Sequence, residues 1–302
     1  MIIGNPIMAG ASGPAASIFV TGLSETDTVT ATNGSKTLTG KWTQKLNPAF
    51  IELPAGYTQL EYIESTGTQY INTLLSLPRG WRIKGKLLLT SVTTDSRGIF
   101  GAQAQNGSVW ARNQFQPSWG SNNWFVGIGG YQYGGSPQAN VEYEFDVCNI
   151  VGDTSYIKIN GEDVALTTGQ ADTGARSGLS CYLFNTHNDD GANNFGQFRM
   201  IGKWEVYNEN HNLVGNYVPA KRNSDGKIAV YDLVTHNYLQ NAGTGEFVSG
   251  PEVPQTVGVF LISKIKDYGT WTVTATDGTK TATKDVLVDV ITNYEIEMSL
   301  SA

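Results

Sequence analysis

The chain has 302 residues, with 40% hydrophobic, 11% aromatic and 16% charged side chains and a net charge of −7. That is a globular composition with enough chain for one large or two ordinary domains, and it argues against a disordered protein. Basic residues are scattered, with Lys221–Arg222 the one adjacent basic pair, so no stripe suits nucleic acid or an anionic membrane.

The N-terminal run MIIGNPIMAGASGPAAS has neither a basic start nor a long apolar stretch. It reads as an arm over residues 1–16, and the protein is expected to be made in the cytoplasm without a signal peptide. No apolar stretch approaches the ~18 residues of a membrane span, so no membrane insertion is expected.

Next comes TVTATNGSKTLT, Thr28 to Thr39, which returns near the other end as TVTATDGTKTAT, Thr272 to Thr283. Each copy is a β-branched strand, an Asn-Gly or Asp-Gly turn and a returning strand. A lone hairpin has no second layer to cover its apolar face. The repeat therefore predicts that both ends fold together into one sandwich, residues 17–46 with 255–302, around an inserted domain at 53–250. Pro/Gly-rich junctions at Leu46–Tyr57 and Val248–Gly258 fit linkers. Neither copy of TVTAT contains the Lys or Pro that guards an edge strand, which predicts side-by-side self-association through these strands and the arm.

Within the insert, period-2 alternation dominates. In VEYEFDV, Val141 to Val147, apolar residues alternate with Glu142, Glu144 and Asp146. TSYIKIN, KWEVYN and KIAVYDLV repeat the pattern, and Asn160-Gly161 and Asp225-Gly226 supply turns. Many short strands at this spacing predict an all-β fold of sandwich or jelly-roll type.

The insert opens with LPAGYTQLEYIESTGTQYINT and closes with YVPAKRNSDGKIAVYDLVTHNYLQNAGTGEFVSG. Both runs resemble the ends of concanavalin A-like, laminin-G-type jelly rolls of phage and prophage virion proteins. TVTATDGTKTATKDVLVDV resembles the immunoglobulin-like modules of the same proteins. The resemblance implies an immunoglobulin-like sandwich split by an inserted jelly roll. It also implies a place on the virion surface, in capsid or tail, with other virion proteins and copies of itself as partners.

The stretch Val109 to Tyr133 places Trp110, Trp119, Trp124, Tyr131 and Tyr133 among amides and hydroxyls, including Asn113 and Asn123. A sugar ring has an apolar C–H face and a fringe of hydroxyls, so this mixture predicts carbohydrate binding, with a bacterial glycan as ligand. The same aromatics also alternate as core residues would. The loop NTHNDDGANN offers oxygen ligands for Ca²⁺, with Asp189 and Asp190 as its carboxylates, although Asn, Asp and Gly equally build turns.

Catalytic patterns are thin. Laminarinase-type glycosidases carry Glu-x-Asp-x-x-Glu on one strand. Here Glu142, Glu144 and Asp146 lack the final Glu, so the row reads as a solvated face and not as an acid/base pair. His187, His211 and His236 lie in turn contexts without metal-ligand spacing, and the two cysteines, Cys148 and Cys181, are expected to be buried thiols. The expectation is a binding protein and not an enzyme, with a purely structural virion protein and a polysaccharide-degrading glycosidase as the alternatives.

Overall fold

The structure is a computed structural model. It describes residues 29–32, 37–40, 42–92, 97–106, 109–117, 122–174, 176–192, 194–262, 269–276, 281–288 and 294–298. The expected N-terminal arm and Trp119 lie outside the described residues. Those residues form strands and connections with no helix, and the ladders are antiparallel apart from a one-residue parallel pair, His187 with Ala102. The chain divides into two compact units, one made of Met1–Ile51 and Val253–Ala302, the other of Glu52–Glu252.

The first unit has a four-stranded sheet in the order Thr37–Gly40, Val29–Thr32, Gly269–Thr276, Thr281–Val288. Its three-stranded sheet runs Tyr294–Met298, Thr256–Ile262, Trp42–Leu46. Strands from both ends of the chain are thus neighbours in both sheets. The two repeat copies pair directly. Thr30 faces Thr274, the third residue of each copy, and Val29 and Ala31 stand opposite Ala275 and Val273. A local dyad therefore passes between Thr30 and Thr274. The returning strands keep the same register, Thr30 against Thr39 and Thr274 against Thr283. One expectation is corrected here. The TVTAT strands are not edges, because each is hydrogen-bonded on both sides.

The second unit is a two-layer structure. A nine-stranded sheet contains, in spatial order, Thr167–Gln170, Gly130–Gly134, Trp124–Ile128, Val109–Gln116, Phe100–Asn106, Ser180–Leu183 and Ile71–Ser76. An eleven-stranded sheet is built around Glu142–Cys148, Arg82–Leu89, Phe198–Tyr207 and Leu213–Arg222. Alternation decides which residues face inward. Tyr143, Phe145 and Val147 are buried, while Glu142 and Glu144 are exposed. The layers meet through Phe115 on Phe145 (centroids 5.5 Å apart), Trp124 on Tyr143 (5.2 Å) and Phe184 on Phe198 (4.5 Å). Such aromatic pairs add to the burial that dominates core stability. Trp204 lies flat against Gly85, where an added Cβ would come within 2.3 Å of the indole, and its Nε1 donates to the Lys86 carbonyl at 2.7 Å.

The two terminal runs of this unit hold each other. Leu60 bridges to Glu252, and Tyr62–Glu64 pairs with Val248–Ser249. Thr68 Oγ1 donates to the Thr244 carbonyl at 2.8 Å, and the Asn241 side chain accepts from Tyr70 N at 3.2 Å. Buried Gln69 ties the STGTQ turn, its Oε1 accepting from Thr66 N at 2.9 Å and Ser65 Oγ at 3.1 Å. The Asn160-Gly161 pair makes the predicted tight turn, both residues at positive φ (53° and 85°).

Candidate functional site

The outward face of the nine-stranded sheet follows from one strand, VWARNQFQ. A guanidinium does not face an apolar core without a counter-charge. Arg112 therefore turns Trp110, Gln114 and Gln116 to the same side, and Ala111, Asn113 and Phe115 to the other. Cross-strand register extends that outer face. Gln114 stands opposite Gly101 on one side and Gly127 on the other. Gly127 stands opposite Tyr131, and Phe125 opposite Tyr133.

The side chains form one connected group. The Arg112 guanidinium lies over both the Trp110 ring (5.1 Å to centroid) and the Tyr131 ring (5.3 Å). Arg112 Nη1 donates to Gln170 Oε1 at 2.9 Å. Burial pulls its pKa below the ordinary arginine value. Tyr131 stacks on Phe125 at 5.5 Å and leans toward Tyr133 at 6.2 Å. Two glycines make the space. A Cβ on Gly169 would strike the Tyr131 ring at 2.0 Å, and one on Gly127 would strike Arg112 Cβ at 2.8 Å and Gln114 Cγ at 2.9 Å.

Beside the rings, on the same side of the sheet, lies an amide network. Gln116 Nε2 donates to Gln114 Oε1 at 3.3 Å and to Thr186 Oγ1 at 3.2 Å, and both glutamines are fully buried. Trp110, Tyr131 and Tyr133 remain half-buried. The seven strands of this sheet named above contain no Asp or Glu, and their single formal charge is Arg112.

The expected site residues separate by parity. Trp110, Tyr131 and Tyr133 share the outer face, and Asn123 is half-buried just before Trp124–Ile128. Asn113 and Trp124 belong to the core, which corrects their assignment to a binding surface. Asn113 is fully buried, its Nδ2 bonded to the Leu77 carbonyl (2.7 Å) and its Oδ1 to Asn149 Nδ2 (2.9 Å). Trp124, 3% exposed, stacks on Phe115. Arg112, Gln114, Gln116, Phe125 and Gln170 were not foreseen. The signal for the first three was present, since a charged residue in an alternating strand fixes which neighbours face out.

The expected calcium loop is a hairpin. His187–Asn188 pairs with Gly191–Ala192, which leaves Asp189 and Asp190 exposed at the tip. Asp189 Oδ2 already accepts from Gln105 N at 2.6 Å. Among the described residues no three His, Cys, Asp or Glu side chains assemble into a cluster.

The carboxylate row sits on the outer face of the other sheet, facing bases. Arg82 Nε donates to Asp146 Oδ1 at 2.8 Å, which helps hold the arginine's pKa above normal, and Tyr156 OH donates to the same oxygen at 3.1 Å. Lys86 lies 3.7 Å from Glu142, Lys84 and Lys203 flank Glu205 at 2.8 and 2.9 Å, and Arg199 holds Glu64 at 2.6 Å. The two cysteines are buried free thiols, and burial pushes the pKa of both upward.

Comparison with protein-family models, with curated proteins and with solved structures gives no match to this chain.

Proposed function

We propose that the Glu52–Glu252 unit is a lectin-like module that binds a neutral glycan on the outer face of its nine-stranded sheet. The observation that carries this reading is the half-buried ring group Trp110, Tyr131 and Tyr133, set among amides on strands that carry no carboxylate. A pyranose stacks its C–H face on such rings, and neutral amides exchange hydrogen bonds with its hydroxyls at lower desolvation cost than charges. The carboxylate row on the opposite sheet favours a binding role over hydrolysis, since Asp146 is paired with Arg82 and Glu142 lies 3.7 Å from Lys86.

The wider setting rests on the resemblance of the terminal runs. In that setting the protein stands on a phage particle, with the split unit of four- and three-stranded sheets as an immunoglobulin-like anchor and the inserted jelly roll presented outward. A glycan array of bacterial surface polysaccharides tests the binding. Wild-type protein is expected to retain a neutral glycan, and Trp110→Ala and Tyr131→Ala to lose it. A silent array would favour the structural reading, a capsid or tail protein that packs against neighbours. Sugar release abolished by Glu142→Gln would overturn the non-catalytic one.

A further inference from the structure

The repeat hairpins offer a contact between copies of the chain that does not need a free edge. Both TVTAT strands are hydrogen-bonded on both sides, so a second copy cannot simply add to them. It can take the place of one of them. The N-terminal hairpin, strands Val29–Thr32 and Thr37–Gly40, is one half of the four-stranded sheet. It joins the other half through a single strand pairing, Val29 to Thr32 against Ala275 to Thr272, and it also packs on Thr256–Ile262. Its covalent connection to the three-stranded sheet is short. One residue, Lys41, separates Thr37–Gly40 from Trp42–Leu46, and those two strands belong to different sheets.

A connection this short moves the whole hairpin as a block when the backbone changes direction there, and short connections of this kind favour exchange between copies. Removing the hairpin leaves Gly269–Thr276 paired on one side only, to Thr281–Val288. Its freed N–H and C=O groups then need a partner. The hairpin of a second copy restores the same four pairs: Val29 with Ala275, Thr30 with Thr274, Ala31 with Val273 and Thr32 with Thr272. The exchanged and unexchanged forms therefore differ in connection and not in contact.

We propose that two copies of this chain exchange their N-terminal hairpins, residues 29–40, about the connection between Gly40 and Trp42. The product is a closed two-fold dimer in which each four-stranded sheet is built from two chains. Exchange sacrifices no ladder hydrogen bond. It costs the independent motion of two molecules, which a high local concentration of the protein offsets. The inference stands apart from the glycan reading, since no ligand enters it.

The test places one half of the pair on each of two full-length molecules. Thr30 and Thr274 stand opposite each other and are half-buried. Opposite Cα atoms in an antiparallel ladder lie about 4.5–5.5 Å apart, within the span of a disulfide. The native Cys148 and Cys181 are buried free thiols and stay out of the reaction. Thr30→Cys and Thr274→Cys are made as separate variants, refolded together from urea at about 1 mM and oxidised in a glutathione buffer. A covalent heterodimer is expected, at least about tenfold more abundant than the homodimer of either variant alone, since exchange sets position 30 of one chain against position 274 of the other. The double variant, Thr30→Cys with Thr274→Cys, is expected to close its disulfide within one chain at about 1 μM. Inserting Gly-Ser-Gly between Gly40 and Lys41 is expected to cut the heterodimer by at least about fivefold. No heterodimer, homodimers of equal abundance, or a yield that ignores the insertion overturns the exchange. A double variant that fails to cross-link overturns it as well, by removing the register on which it rests.

Discussion

The two outer faces of the inserted unit cover one shared core yet differ sharply in chemistry. On the eleven-stranded sheet, Arg82, Lys84, Lys86, Arg199 and Lys203 alternate across the strands with Asp146, Glu205, Glu142 and Glu64. On the nine-stranded sheet, Arg112 is the one formal charge in the seven principal strands, held between two aromatic rings. The core cannot explain the difference, because it dictates inward positions only. A charged face satisfies itself through paired side chains and stays hydrated. A neutral face with half-buried rings is cheap to desolvate, which is the property a binding surface needs. The comparison teaches that outward residues, free of packing demands, record the role of each layer.

The largest expected effect tests the premise that both faces share one core. Asn149 is fully buried between the layers. Its Oδ1 accepts from Trp81 N at 2.7 Å, and its Nδ2 donates to Asn113 Oδ1 at 2.9 Å and the Gly127 carbonyl at 3.1 Å. Asn149→Ala strands three buried polar groups and is expected to cost about 3 kcal/mol or more in urea unfolding. A loss below about 1 kcal/mol would mean that the layers are not pinned there.

Acid should act through the charged face. Burial alone would raise the Glu205 carboxyl, but hydrogen bonds from Lys84, Lys203 and Tyr207 hold it at about 2. That is below the unfolded value of about 4.3. The resulting stability is complete above about pH 5 and is lost as pH falls toward 2; the shift converts to about 3 kcal/mol, which solvent screening of the half-exposed lysines lowers to about 2 kcal/mol. Glu205→Gln should flatten the acid limb of a stability-against-pH curve. Parallel wild-type and variant curves would remove Glu205 from the account.

On the neutral face, Tyr131→Ala is expected to weaken glycan binding by about tenfold, or ~1.4 kcal/mol, with little change in the unfolding midpoint. Glu144→Ala, on the charged face, should leave binding unchanged. If Glu144→Ala weakens binding as much as Tyr131→Ala, the functional face has been misidentified.

Salt gives the smallest effect. Raising sodium chloride to about 1 M shortens the screening length to about 3 Å and is expected to lower stability by less than about 1 kcal/mol, since the pairs are largely solvated. Glycan affinity should stay within about twofold, because the binding face is nearly uncharged. A strong salt dependence of binding would mean that an acidic group of the ligand is being recognised.

Alternation in the sequence determined the strands, the turn at Asn160-Gly161 and which face of Glu142–Cys148 meets water, because each follows from neighbours a few residues apart. The repeat at Thr28 and Thr272 pointed to an association of the two ends, and in the structure those strands are direct neighbours. Sequence could not show that they pair with each other and so leave no TVTAT edge exposed, since pairing partners are chosen between distant segments. For the same reason it mixed core and surface aromatics. Trp110 and Trp124 look alike in composition, and only their register against Arg112 and Phe115 sends one outward and the other inward. Tyr70, Tyr182 and His187 come from separate stretches and acquire meaning as a stack. The outer neighbours of Gln114, Gly101 on one side and Gly127 and Tyr131 on the other, likewise come from separate strands and meet only once tertiary pairing fixes each register.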